Sequence, residues 1–340
     1  MKMHQVSRRT GIALATVALA IAGAGCGASE GGSDDDGGST QAAKSAGDLT
    51  IGVSNLGLAA PFPAAISRGI KAAAEEQGIR IVELDGKSDP DKQANDMQDL
   101  IAQRPDGILL LPVDSGIAQG LVDAADAEGI PVVAVASQVG DPSERELKDV
   151  YPRLAALVTQ DEVASGEKAA EIVIRELPDG GEIAILEGAA GFAESKLRQV
   201  GFDEVLARSG RSFRTVASQP GDWLPDKGEA VCQNMLAAHP NLRLVYSHSD
   251  DMAVGCTKAV GQANRDVKVV GVGGSRLGMN AVEAGEMAGT VCYLPEELGR
   301  VALETIVGDL TGDRPVEAEF VSYETPATTR ANASECNAQW

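Results

Sequence analysis

The chain has 340 residues, 44% of them hydrophobic, and 50 Asp and Glu against 29 Lys and Arg give it a formal charge of −21. That acidity excludes a nucleic-acid binder, because neutralising phosphates needs a basic surface. One apolar run lies at the start and no second long one follows, so the body reads as soluble, and its length of about 290 residues suits two domains better than one core.

Lys2, Arg8 and Arg9 precede an uncharged apolar stretch, Gly11 to Gly25. It is too short to span a bilayer comfortably, so residues 1–25 are expected to be an export signal. Ser7-Arg8-Arg9 hints at a twin-arginine signal, but Gly11 departs from that pattern. Gly23, Ala24 and Gly25 before Cys26 resemble a bacterial lipobox, in which the thiol is lipidated and becomes the mature N-terminus. Gly23 stands where Leu is usual, and an ordinary cleaved signal with an incidental Cys26 is the alternative. Residues 26–48 are mostly Gly, Ser and Asp and read as a flexible, self-repelling tether. A lipid on Cys26 followed by that tether would hold a folded body just off the outer face of the cell membrane.

From Asp48 strands and helices alternate. Leu49–Ser54 is an apolar strand, and Pro61–Gln77 a helix with Phe62, Ile66 and Ile70 on one face. Ile79–Leu84, Gly107–Leu111 and Pro131–Ala136 are further strands, separated by helices over Pro90–Gln103 and Ile117–Glu128. The same grammar then restarts. Ile183–Leu186, Arg214–Ala217, Leu242–Ser247, Val267–Val272 and Gly289–Tyr293 read as strands, with helices near 192–208, 224–238, 250–262 and 295–309. Continuous apolar strands between amphipathic helices indicate parallel sheets covered on both faces. The expected class is α/β, with two doubly wound parallel-sheet lobes and a ligand site between their strand ends.

Candidate site residues gather past those strand ends. Asp114 and Ser115 follow one strand, Ser137 and Gln138 another, and Gln160 and Asp161 lie between the halves. Ser247-His248-Ser249-Asp250-Asp251 forms a polar turn, preceded by Trp223 in a loop without periodicity. Asp114, Ser115, Asp161 and Asp250 could equally cap the helices that follow them. His248 reads as a rim residue. The four cysteines beyond Cys26 are an even number in an exported chain, compatible with disulfides Cys232–Cys256 and Cys292–Cys336. Cys232 and Cys256 also sit on apolar helical faces and could be small buried hydrophobes. Gly271-Val272-Gly273-Gly274-Ser275-Arg276 has Arg where a dinucleotide loop needs its last glycine, and no phosphate loop, nucleophile elbow or zinc spacing appears. No catalytic residue, metal or cofactor is expected.

The segments PFPAAISRGIKAAAEEQG, DPDKQANDMQDLIAQRPDGILLLPVDS, EGIPVVAVAS, QNMLAAHPNLRLVYSHSDDMAVG and YLPEELG resemble the type I periplasmic binding proteins, above all the ribose-type sugar-binding proteins of ABC importers. The likeness runs from about residue 49 to about 325, with several motifs in order and spacing. It implies two lobes, 49–160 plus 294–322 and 161–293 plus 323–340, joined by three crossovers near 159–162, 292–295 and 321–324. It implies a monomeric receptor that closes on a small solute and delivers it to an ABC permease, or presents its bound state to a membrane signalling protein. An exported hydrolase on the same scaffold is the third reading.

Position by position, Phe62 and Trp223 match the family's stacking aromatics. The family's Asp-Arg pair is Ala136 and Ser137 here, with Gln138 next. A family Arg is Lys196, with Arg198 two residues on; an Asn is Ser249 beside Asp250; an Asp is Gly273; a Gln is Tyr293. Losing paired carboxylate and guanidinium groups removes the strong, directional grip on adjacent hydroxyls. The resemblance therefore implies a sugar- or polyol-like solute, with ribose itself doubtful.

Overall fold

A computed structural model describes residues 45–312 and 318–340. The export signal at 1–25, lipidation of Cys26 and the tether up to residue 44 lie outside the described residues. A single 3-10 turn, Ala46–Asp48, leads into the first sheet. Among the described residues no helix is long and apolar enough to cross a membrane.

The first lobe begins with β1 (Thr50–Asn55), α1 (Pro61–Gln77), β2 (Arg80–Asp85), α2 (Pro90–Ala102), β3 (Gly107–Leu110), α3 (Ala118–Ala127), β4 (Val132–Val135) and β5 (Ala156–Val158). The chain then enters the second lobe through α4 (Glu162–Glu176), β6 (Gly181–Glu187), α5 (Ala193–Arg208), β7 (Phe213–Pro220), α6 (Pro225–Ala238), β8 (Leu242–Ser247), α7 (Asp250–Gln262), β9 (Lys268–Val270), α8 (Arg276–Ala284) and β10 (Thr290–Val291). It returns to the first lobe for α9 (Pro295–Thr311) and β11 (Glu319–Val321), and ends in the second with β12 (Ala327–Thr328) and a 3-10 stretch, Arg330–Glu335.

The six-stranded first sheet has the order β11-β5-β4-β3-β1-β2, and all its pairings are parallel. The four-stranded second sheet is β7-β6-β8-β9, also parallel, and β10 pairs antiparallel with β12. Alternation along β3 shows why apolar runs became strands. Leu109 faces a core shared with Ile66, Ile70 and Leu303, whereas Ile108 and Leu110 face Met97, Val122 and Leu100. Both faces of each sheet are therefore covered by helices, as continuous apolar strands require. In the second lobe Ala184 and Leu186 pack with Met235 and Met252, while Ile183 and Ile185 pack with Phe202 and Tyr246.

Helix starts follow local chemistry. Proline opens α1, α2, α6 and α9, where its missing N–H has no helical partner to lose. Asp89, Asp161, Ser249 and Ser275 cap α2, α4, α7 and α8 with their side chains. Two helices, α4 and α8, and the short strands β5, β11 and β12 add to the elements read from the sequence. The buried face of α4 is built largely from small residues (Ser165, Gly166, Ala169, Ala170), which leaves its helical period faint. Three-residue strands such as β5 carry no period at all. Both cysteine pairs, Cys232–Cys256 and Cys292–Cys336, are joined as disulfides.

Candidate functional site

The loops past the strand ends of the two sheets meet one another. The Ser115 N–H donates to the Gly191 carbonyl at 3.0 Å, and the Ala193 N–H donates to Ser115 Oγ at 3.2 Å. Lys196 on α5 reaches Asp141 of the first lobe at 3.1 Å. Hydrogen bonds from the Ser143 backbone and hydroxyl, and then Lys196, hold Asp141 down at about 2. These contacts join the first lobe to the N-terminal turn of α5.

At the centre lies a buried ion pair. Arg198 of α5 donates from Nε to Glu162 Oε2 at 2.6 Å and from Nη2 to Oε1 at 3.1 Å, and from Nη1 to the His248 carbonyl. Tyr293 donates its hydroxyl to Glu162 Oε2 at 2.7 Å, and Gln160 donates its amide to Oε1 at 2.7 Å. The guanidinium lies 5.6 Å from the Trp223 ring centre and 5.3 Å from that of Tyr293. Burial opposes its charge most strongly, but Glu162, Tyr293 and Glu194 together outweigh it and keep Arg198 well above its usual range. Burial, aided by Glu162, likewise raises the Tyr293 hydroxyl far above its ordinary value.

Two glycines explain how the pair forms. A Cβ on Gly166 of α4 would fall 1.9 Å from the Arg198 carbonyl, and one on Gly201 of α5 2.0 Å from the Val163 carbonyl. Only hydrogen at both positions lets the helices approach closely enough for Glu162 and Arg198 to meet. Asp161 fixes the start of α4 by accepting from the Ala164 N–H at 3.0 Å, which aims Glu162 inward from the first turn.

The Trp223 loop is shaped as narrowly. Asp222 and Trp223 both hold left-handed backbone conformations, φ 52° and 63°, which cost non-glycine residues energy and cluster at functional sites. The indole lies on Gly188, where a Cβ would come 1.9 Å from the ring, and Phe192 meets it edge-on at 5.8 Å.

Buried polar groups are almost always paired. Here Gln138 Oε1, Gln160 Oε1, Glu194 Oε2 and Trp223 Nε1 are buried without a hydrogen-bond partner among the described residues. Three of the four neighbour the ion pair: Gln160 bonds Glu162, Trp223 overlies Arg198, and Glu194 interacts with both charges. Burial, and then the Glu162 charge, push the Glu194 carboxyl up to about 7.

The expected site residues divide. Phe62 is half-buried, 6.3 Å from the Tyr293 ring and 5.3 Å from that of Trp340. Tyr293 and Trp223 both flank Arg198, Ser137 lies in reach of Glu194 and pairs with Ser115 Oγ at 3.2 Å, and Gln138 donates its amide to the Arg145 carbonyl at 3.0 Å. Lys196 takes Asp141 across the lobes. Asp114 accepts from the Ile117 N–H at 2.9 Å in a turn and lies against Gly191.

Ser249 and Asp250, expected to meet a ligand, are engaged within the second lobe. Ser249 caps α7 through Met252 N–H at 3.3 Å. Asp250 is fully buried and accepts from Thr290 Oγ1 at 2.6 Å and the Ser275 N–H at 2.8 Å, so it fastens the loop before α8. His248 is not a rim residue either: it is buried, and burial followed by Arg198 pushes its imidazole down to about 3.

Glu162, Glu194 and the central part of Arg198 escaped sequence reasoning. Glu162 and Arg198 are 36 residues apart with no local pattern to join them. The one available signal was a glycine about one turn after each, Gly166 and Gly201.

Comparison with known proteins agrees with this architecture. Residues 51–314 match the family model described as periplasmic binding protein domain. The chain is 31% identical over 267 residues to the ribose import binding protein of Bacillus subtilis (strain 168), covering 78% of this chain and 83% of that one. It is 33% identical over 255 residues to the D-allose-binding periplasmic protein of Escherichia coli (strain K12), covering 74% and 81%. Among solved structures, an ABC transporter solute binding protein from Mycobacterium smegmatis with bound glycerol superposes with TM-score 0.75 at 33% identity, covering 84% of this chain and 96% of that one. A myo-inositol binding protein from Caulobacter gives TM-score 0.76 at 26% identity, covering 85% and 96%. Two parallel-sheet lobes, strand ends facing across a polar centre and a match over most of the length agree: this chain belongs to the periplasmic binding protein family, as a type I, ribose-type solute-binding protein.

Proposed function

We propose that the chain is an exported receptor, anchored by a lipid on Cys26 to the outer face of the cell membrane. It closes its lobes, 49–160 plus 294–322 and 161–293 plus 323–340, on one small polyhydroxylated solute and hands it to an ABC permease. It works as a monomer, by binding alone and without catalysis. The observation that carries the reading is the set of unpartnered buried polar atoms, Gln160 Oε1, Glu194 Oε2 and Trp223 Nε1, beside a fixed charge pair and aromatic rings. Hydroxyl groups can donate to the Gln160 and Glu194 oxygens and accept from the indole N–H, while the flat C–H face of a sugar or polyol lies on an aromatic ring. Relatives named for ribose, D-allose and xylitol support that solute class.

Three of the five N–H donors of Arg198 are already taken by Glu162 and His248. The guanidinium therefore serves more as a rigid floor under Trp223 and Tyr293 than as a free clamp. Contacts from both lobes favour the shut state, so a solute shifts the population toward closure by its extra affinity for that state. A thermal-shift screen of the purified protein against D-ribose, D-allose, xylitol, glycerol and myo-inositol tests the solute class. A saturable rise in melting temperature with at least one supports it; rises only with amino acids or aromatic acids overturn it.

A further inference from the structure

The segment Cys336–Trp340 lies outside every element that the binding reading uses, yet it bonds to both lobes. Its base is tied by the Cys292–Cys336 disulfide, next to Tyr293. From there Gln339 accepts through its carbonyl from Arg68 of α1 at 2.8 Å and from Arg276 of α8 at 3.4 Å. Its side-chain Oε1 accepts from the Glu296 N–H of α9 at 2.8 Å. The Trp340 carbonyl accepts from the Arg276 N–H at 2.7 Å. Helices α1 and α9 belong to the first lobe and α8 to the second, so four residues past the disulfide strap one lobe to the other.

What the strap delivers is an indole. Trp340 Nε1 donates to the Gly273 carbonyl at 3.3 Å, and a Cβ on Gly273 would lie 2.8 Å from the Trp340 ring. The ring therefore fills the space that a side chain at 273 would occupy, at the strand-end loop just before α8. Gly273 has φ 139°, a conformation that other residues rarely adopt, so the loop is shaped to be vacant of its own side chain. On its other side Trp340 meets Phe62 edge-on at 5.3 Å, and Phe62 continues to Tyr293 at 6.3 Å. Trp340, Phe62, Tyr293, Arg198 and Trp223 thus form one unbroken series of ring and guanidinium contacts between the lobes.

We propose that Trp340 is a wall of the solute site, a specificity-determining aromatic supplied in place of a side chain at Gly273 and held there by the disulfide-tied strap. The proposal rests on the reading of this cleft as a polyol or sugar site. It follows that solute affinity depends on a residue far from the strand-end motifs, and on the Cys292–Cys336 bond that positions it.

Two measurements on the purified chain separate the strap from the solute class. The chain has two tryptophans, so Trp223→Phe leaves Trp340 as the sole tryptophan emitter when only indole is excited. Without solute, acrylamide should quench that emission several-fold less than it quenches free tryptophan amide, and adding Cys292→Ser and Cys336→Ser should remove the protection. Quenching as efficient as for the free amide overturns the strap, whatever the solute. Calorimetry with D-ribose, D-allose, xylitol, glycerol and myo-inositol then identifies a binder. For that solute Trp340→Ala should weaken affinity roughly tenfold, as loss of a stacking face does, while Trp340→Phe restores it to within about threefold. Unchanged affinity in Trp340→Ala overturns the wall. If none of the five binds the unaltered chain, the solute class falls and the wall with it, while the quenching result still decides the strap.

Discussion

Arg198 and Glu162 meet through two hydrogen bonds of 2.6 and 3.1 Å, with 7% and 1% of their side chains exposed. A charge pair this deeply buried is costly to form and more costly to break, because removing one partner strands the other. Glu162→Gln is expected to lower the unfolding free energy by about 3–5 kcal/mol, measured by urea denaturation. Replacing both residues with Met should recover part of that loss. A single variant as stable as the unaltered protein would show that the pair is not formed as described.

The Glu194 carboxyl carries a pH signature. Burial and the neighbouring Glu162 charge raise it from 4.5 to about 7 in the folded chain. Between those values the native state holds more protons than the unfolded one, so stability falls as pH rises. The contribution is whole below about 4.5 and gone above about 7, with a slope of up to about 1.4 kcal/mol per pH unit. Glu194→Gln has no proton to lose. Subtracting its stability from that of the unaltered protein at each pH cancels the parallel titration of Asp250, which burial also raises to about 7. A difference that stays flat from pH 4.5 to 8 would contradict the assignment.

Gly188 and Trp223 should behave as one unit. A methyl group at 188 would overlap the indole, so Gly188→Ala must displace the ring or the loop that holds it in a left-handed conformation. Both Gly188→Ala and Trp223→Ala are expected to weaken solute binding roughly tenfold or more, by loss of the stacking face. Isothermal titration with a bound solute checks this, and Gly188→Ala binding normally would mean that Trp223 is not held against that site.

The Cys232–Cys256 disulfide spans 24 residues and links α6 to α7 inside the second lobe. Closing a loop of that length stabilises by about 3 kcal/mol in the chain-entropy account. Replacing both cysteines with Ala should lower the unfolding free energy by about that much. It should leave solute affinity within about twofold, since α6 and α7 pack behind the site. A tenfold affinity loss would show that the bond shapes the cleft.

How far these features could be read from the chain follows from the range of the forces involved. The strands announced themselves because Ile108-Leu109-Leu110 and Val132–Val135 are apolar on both faces, which two-sided burial demands. Trp223 stood out in the sequence because nothing periodic surrounds it. For Ser249 and Asp250 a helix cap, a buried tie and a ligand group look alike in sequence, and their bonds to Met252, Thr290 and Ser275 become visible only in the structure. Glu162, Glu194 and Trp340 were hidden because their meaning lies in a buried cluster assembled from distant parts of the chain, brought close by glycine-permitted helix packing and by a disulfide.

The central claim is that this cleft shuts on a polyhydroxylated solute held between the two lobes. Isothermal titration of the purified protein with D-ribose, D-allose, xylitol, glycerol and myo-inositol, repeated on Trp223→Ala, tests it most directly. The account predicts saturable one-site binding of at least one of them and a loss of roughly tenfold or more in the variant. No heat of binding from any of the five, or equal affinity in both proteins, would contradict it.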